Sequence, residues 1–244
     1  MHRRRSRDRY SQHSAQFLPT KLSGLAAWYR SDLGITLNGG AVAAWGDQSG
    51  NGRHLSQGTA ANQPTYVSSV AGLGNRPALS FDAGGDILQT STPFALPREH
   101  TIFYVLGAVT FRGCVVEHMD LPSTFGFYVF APGNAAWSTN GNARYTVQSP
   151  LTNFAQPNQS NVIVYDRVTA SHPLGYAESS DIAWSSTVGS HPAASNITAH
   201  LTIGQRLNGG TPHGGQIAEV GIYNRALDSS EVAALRDYLA RIYP

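Results

Sequence analysis

From Leu22 onward the chain is written as short apolar runs separated by clusters of Gly, Pro, Asn and Ser, and this punctuation limits what it can fold into. Runs of strand length, rich in β-branched and aromatic side chains and bounded by turn residues, suit a pleated sheet, where side chains alternate between two faces. The clearest are 101–106 (TIFYVL), 114–117 (CVVE), 125–130 (FGFYVF), 161–168 (NVIVYDRV), 200–203 (HLTI) and 216–223 (QIAEVGIY). This texture predicts an all-β fold, an antiparallel β-sandwich. In 216–223 one alternating face is cleaner than the other, so this run is expected to be an outer strand. No repeat of roughly 20–50 residues is present, which argues against solenoids and propellers.

Only 13% of the 244 residues are charged, about half the usual share, so the surface is built mostly from Ser, Thr, Asn, Gln and Gly. Coiled coils and long helical bundles are therefore disfavoured. The single cysteine, Cys114, cannot close an intrachain disulfide or supply a four-cysteine zinc site, and in its apolar run it reads as a buried small hydrophobe. No stretch approaches the ~18 apolar residues of a membrane span. The N-terminal residues lack the apolar core of an export signal, so a soluble chain made in the cytoplasm is expected.

One helix is expected, over 228–242. Asp228 stands three residues before Glu231, a carboxylate form of the capping box, and Val232, Leu235, Leu239 and Ile242 follow at helical spacing. Arg236, Asp237 and Arg241 lie off that stripe, so the helix should pack on the outside of the sandwich and close it.

The net charge of +2 conceals an asymmetry. Arg3, Arg4, Arg5, Arg7, Arg9 and Lys21 against Asp8 give residues 1–21 a net +5, which leaves −3 for residues 22–244. The first 21 residues have no periodic apolar face and read as a basic, extended or disordered arm. Its five arginines suit docking on an acidic neighbouring subunit, or weak, salt-sensitive contact with phosphates.

Three segments together resemble the concanavalin A-like lectin/glucanase superfamily, in particular its laminin-G-like and pentraxin-like jelly rolls. The first is Leu25-Ala-Ala-Trp28-Tyr29-Arg30-Ser31-Asp32 with Val42-Ala-Ala-Trp45-Gly-Asp47-Gln-Ser-Gly50-Asn51-Gly52. The second is Arg76-Pro77-Ala-Leu79-Ser-Phe81-Asp82, ending in Gly85-Asp86-Ile-Leu88. The third is Ile203-Gly204 and then Gly215-Gln-Ile217-Ala-Glu219-Val220-Gly-Ile222-Tyr223-Asn224-Arg225-Ala226-Leu227, followed by the helix. Residues 108–198 match only in strand texture. The resemblance implies one jelly-roll domain over 22–244, with its two ends brought together. Trp28 and Trp45 are read as core anchors ahead of exposed sugar platforms. Related domains bind calcium through loop oxygens, which makes Asp47, Asn51, Asp82 and Asp86 candidate ligands, although no compact D-x-D-x-D loop is present. No other cofactor is implied.

The superfamily includes glucanases, so the carboxylates matter. The glucanase-type E-x-D-x-E string is absent. Of the five glutamates (Glu99, Glu117, Glu178, Glu219, Glu231), only Glu117 is a serviceable acid candidate, and a structural or exposed role is the stronger reading. There is no G-x-S-x-G elbow, no phosphate loop and no H-E-x-x-H helix, and the nine histidines lack metal-ligand spacing. A non-enzymatic protein is expected.

Two classes of function fit. The first is a structural or adhesion subunit of a bacteriophage or virus particle, its arm docked on a neighbouring subunit, including further copies of itself. The second is a free carbohydrate-binding lectin module. Its site would be Trp137, Asn140, Asn142 and Tyr145 in one loop, or Asn208 to His213 in another; either stretch also reads as a plain turn. Nucleic-acid contact through the arm ranks last, since the acidic body offers no groove.

Overall fold

A computed structural model describes residues 17–97, 99–111, 113–118 and 196–244 in full, with the backbone of residues 119–120 and of six strands between Phe125 and Ile182. Seventeen strands form one continuous antiparallel ladder folded into two leaves. The front leaf runs Ile35–Asn38, Ala41–Trp45, Leu55–Ser56, Leu88–Thr90, Leu201–Ile203, Gly113–Asp120, Phe125–Ala131, Asn134–Thr139 and Ala143–Thr146. The back leaf runs Thr65–Val70, Arg76–Asp82, Gly214–Tyr223, His100–Phe111, Gln159–Tyr165, Leu174–Ala177 and Ser180–Ile182. Leu25–Arg30 shares one flank of Gly214–Tyr223 with Arg76–Asp82. A single residue pair, Ala41 with Thr65, joins the leaves, and Phe94–Leu96 pairs separately with Ile197–Ala199. The fold is an all-β antiparallel sandwich with one C-terminal helix.

Alternation of side chains explains how two apolar layers arise from one sheet. Along His100–Phe111, Ile102, Tyr104 and Leu106 point between the leaves with Trp45, Leu55, Leu88 and Ile203. Phe103 and Val105 point the other way, into a second layer beneath the helix. Trp45 is fully buried and Trp28 is 4% exposed, so both are core anchors, as the sequence suggested; Cys114 is buried too.

The helix forms over Ser229–Ile242 with the expected capping box. The Asp228 carboxylate accepts from Ser230 N and Glu231 N, and the Glu231 side chain accepts from Asp228 N. Arg225 grips Glu231 with two nitrogens at 2.7 and 2.6 Å. Val232, Leu235, Tyr238 and Leu239 are buried against the back leaf, each worth about 1.5–3 kcal/mol as apolar burial.

This layer corrects the outer-strand expectation for 216–223. Gly214–Tyr223 is flanked on both sides, and nine of its ten residues are buried. Its one mixed face misled because the helix covers it. Gly221 is there because a Cβ at that position would collide with the Phe103 ring. Glu219 is fully buried, and its Oε1 accepts from Trp28 Nε1 at 2.6 Å and Tyr238 Oη at 2.9 Å. Burial pushes its carboxyl up to about 7, against the lowering effect of those hydrogen bonds.

Residues 17–21, counted with the arm from sequence, lie on this same face. Phe17 meets Tyr238 edge-on at 6.3 Å, Arg241 donates to the Phe17 carbonyl at 2.9 Å, and Tyr223 Oη donates to the Pro19 carbonyl at 2.9 Å. Arg3, Arg4, Arg5, Arg7 and Arg9 lie outside the described residues.

Candidate functional site

Three of the five glutamates, Glu117, Glu219 and Glu231, are committed to the scaffold. Glu117 is 1% exposed; its Oε1 accepts from Arg206 Nε and its Oε2 from Leu207 N, both at 2.7 Å. That pair pins the loop after Leu201–Ile203 against the sheet. A general acid must reach substrate. Glu117, Glu219 and Glu231 are instead engaged in an ion pair, a neutral hydrogen-bond cluster and a helix cap.

The four calcium candidates fall into two separate loops. Asp47 Oδ1 accepts from Trp28 N and Ser49 N, and Oδ2 from Ser49 Oγ and Arg53 N, at 2.8–3.0 Å. Asn51 donates through Nδ2 to the Leu25 and Ala26 carbonyls. These two residues staple the 46–53 loop to the first strand. Asp82 Oδ1 accepts from Gly84 N at 2.6 Å and Gly85 N at 3.3 Å, and Asp86 Oδ2 from Asp82 N at 3.0 Å. Burial first, and then the Asp82 charge, push Asp86 up to about 6. Calcium takes six to eight oxygens. Asp47 meets four protein donors, and among the described residues no three His, Cys, Asp or Glu side chains converge as a metal site.

Of the loop residues proposed for sugar contact, Trp137 and Tyr145 are paired across neighbouring strands, while Asn140 and Asn142 lie outside the described residues. Asn208 is exposed, and its Oδ1 accepts from Gly210 N at 3.0 Å in a local turn. His213 ends in the interior instead. It has no exposed surface, its ring lies 6.2 Å from that of Phe81, and neither ring nitrogen has a hydrogen-bond partner among the described residues. Burial lowers it to about 4. The 208–213 stretch therefore divides between a solvent-facing tip and a buried plug.

Sequence reasoning missed a polar hollow of about 310 Å³ lined by Ser56, Gln57, Gly58, Gln89, Thr90 and Ser91. It forms where the two-residue strand Leu55–Ser56 pairs with Leu88–Thr90, Ser56 standing opposite Gln89. Leu55 and Leu88 belong to the inter-leaf core, so Ser56 and Gln89, at the alternate positions, belong to the outward face. The Gln57 amide is held at both ends, donating to the Ile87 carbonyl at 3.1 Å and accepting from Thr59 N at 2.9 Å. Thr90 Oγ1 accepts from Leu201 N at 3.1 Å. No motif announces this site, because Ser and Gln in short strands are indistinguishable in sequence from ordinary surface.

No family model matches the chain, and no curated protein matches it by sequence. Solved structures do. Domain 4 of the GH43 extracellular arabinanase AbnA from Geobacillus stearothermophilus, in complex with arabinotriose, matches with a TM-score of 0.56 at 12% identity, over 90% of this chain and 98% of that one. The binding domain of Paraclostridial Mosquitocidal Protein 1 matches with a TM-score of 0.55 at 14% identity, over 87% of this chain and 52% of that one. Trypanosoma rangeli sialidase in complex with sialic acid matches with a TM-score of 0.52 at 15% identity, over 91% of this chain. The chain spans about a third of the sialidase, 34% of its length. At these identities the likeness establishes the shared β-sandwich fold alone.

Proposed function

We propose that this chain is a non-enzymatic binding module that presents a saccharide-binding face and is tethered through its basic arm. The observation that carries this reading is the division of labour between its two outward faces. The back face is closed by the helix and by residues 17–21, the root of the arm. The front face carries an open, neutral polar hollow. The likeness to a domain solved in complex with arabinotriose, over nearly its whole length, supports a sugar as ligand. The engagement of Glu117, Glu219 and Glu231 in scaffold bonds supports binding without hydrolysis. The test is a glycan array with the full chain, paired with a reducing-end assay on every glycan that binds. Binding without new reducing ends is expected; turnover would make the chain a glycoside hydrolase, and silence on the array would remove the saccharide.

The tether admits a finer reading, a subunit of a virus or phage particle, favoured by the +5 of residues 1–21 against the −3 of the rest. Removing residues 1–16 leaves the contacts of Phe17 and Pro19 in place, so the body should stay folded. Native mass measurement of the full chain should show an assembly that the truncated chain does not form. The same number of chains in both species would reject the docking arm.

A further inference from the structure

Within that saccharide reading, on which this step rests, we infer that the hollow between Leu55–Ser56 and Leu88–Thr90 is the binding site, and that it takes a neutral sugar without calcium. Its six lining residues contribute hydroxyls, two amides and a glycine backbone, with no charged side chain. Hydroxyls and amides each offer both a donor and an acceptor, the complement of a sugar ring's hydroxyl groups. They provide no counter-charge for a carboxylate or sulfate and no anionic oxygen for a cation.

The lining divides into residues that are spent on the scaffold and residues that are available. Gln57 is fixed by Ile87 and Thr59, and its carbonyl accepts from Gln63 Nε2 at 2.7 Å, so this wall is preorganised. Thr90 is 2% exposed and tied to Leu201 N. The Gln89 amide and the Ser56 and Ser91 hydroxyls have no side-chain partner among the described residues, and all three reach solvent. A rigid wall facing three unsatisfied polar groups suits recognition, because little ordering remains to be done on binding. None of the described sequence-derived candidates Asp47, Asn51, Asp82, Asp86, Asn208 or His213 lines the hollow.

The experiment is calorimetric titration of the full chain with neutral probes (arabinotriose, maltotriose, lactose) and acidic ones (3′-sialyllactose, trigalacturonate), with and without EDTA. At least one neutral probe should bind, the acidic ones at least tenfold more weakly, and EDTA should change nothing. Gln89→Ala should weaken binding about tenfold and Ser56→Trp, which fills the hollow, should abolish it, with melting temperatures unchanged because neither side chain bonds within the fold. Asp86→Asn should leave binding intact. Preference for acidic probes, loss with EDTA, or indifference to both hollow variants would overturn this site while leaving saccharide binding standing. Binding lost in Asp86→Asn alone would move the site to the 82–86 loop. A chain that binds no glycan in titration or on the array would overturn the saccharide reading itself.

Discussion

The two leaves of the sandwich share one apolar interior but finish their outward faces differently. On the back leaf, Phe103, Ala218 and Tyr223 continue into a second apolar layer capped by Leu235 and Leu239, with Glu219 enclosed. On the front leaf, the outward positions Ser56, Gln89, Thr202 and Glu117 form one cross-strand row. Glu117 and Thr202 are buried, Glu117 beneath a roof of Arg206 and the backbone of Leu207, whereas Ser56 at the other end of the row is exposed. The two buried glutamates carry the contrast. Glu117 meets a guanidinium and a backbone N–H, while Glu219 is held by the neutral donors Trp28 and Tyr238. A charge that is paired can stand beside a solvated site; a carboxyl held only by neutral donors in a dry layer is driven toward its protonated form instead.

The largest effect is expected from breaking the back face. Leu235→Ala should cost about 3–4 kcal/mol in urea unfolding, with saccharide affinity unchanged; a matching loss of affinity would mean that the faces are not independent. Glu117→Ala should cost about 3 kcal/mol by breaking the ion pair with Arg206 and leaving Leu207 N without its acceptor. That loss should appear as faster hydrogen exchange at Leu207, and unchanged exchange would show that the roof does not depend on this carboxylate.

The next effect is a pH slope. Glu219 sits at about 7 in the fold against an ordinary 4.5, so the stability it contributes is full below pH 4.5 and is lost as pH rises through 7. Asp86, at about 6, acts in the same direction over a lower range. His118 and His213, both lowered to about 4, act oppositely, with stability present above 6.5 and lost as pH falls. The wild-type profile therefore sums opposing contributions, and a variant is needed to separate them. Relative to wild type, Glu219→Gln should gain roughly 2–3 kcal/mol between pH 4.5 and 8; a pH-independent difference would show that Glu219 stays ionised. The smallest effect belongs to the arm's root. Phe17→Ala should cost about 1 kcal/mol by removing the edge-on contact with Tyr238, and no change in melting temperature would free residues 17–21 from the back face.

Much of the fold was legible because the signals were local. The run 101–106 lies within the strand His100–Phe111, and Asp228 with Glu231 marked the helix start to the residue. The Gly214–Tyr223 strand was misplaced because its polar-looking positions are explained by distant partners: Phe103 for Gly221, and Trp28 and Tyr238 for Glu219. The site was less legible still. Acidic loop residues attract attention in sequence, yet Asp47 is spent on four donors, while Ser56 and Gln89 are brought together by a register that no pattern encodes.

The double burial of Gly214–Tyr223 also sets a timetable for synthesis. Trp28 pairs with Gly221, so the Leu25–Arg30 strand must wait for a partner translated about 190 residues later. At about 5–20 residues per second, roughly 10–40 s pass between the two. For that time the Leu25–Arg30 strand lacks the neighbour that covers it, and one edge of His100–Phe111 waits for about 60% as long. The back leaf thus closes only once Gly214–Tyr223 has been made, and a nascent chain with so little charge depends on its frequent Gly and Pro to resist pairing with its neighbours on the polysome.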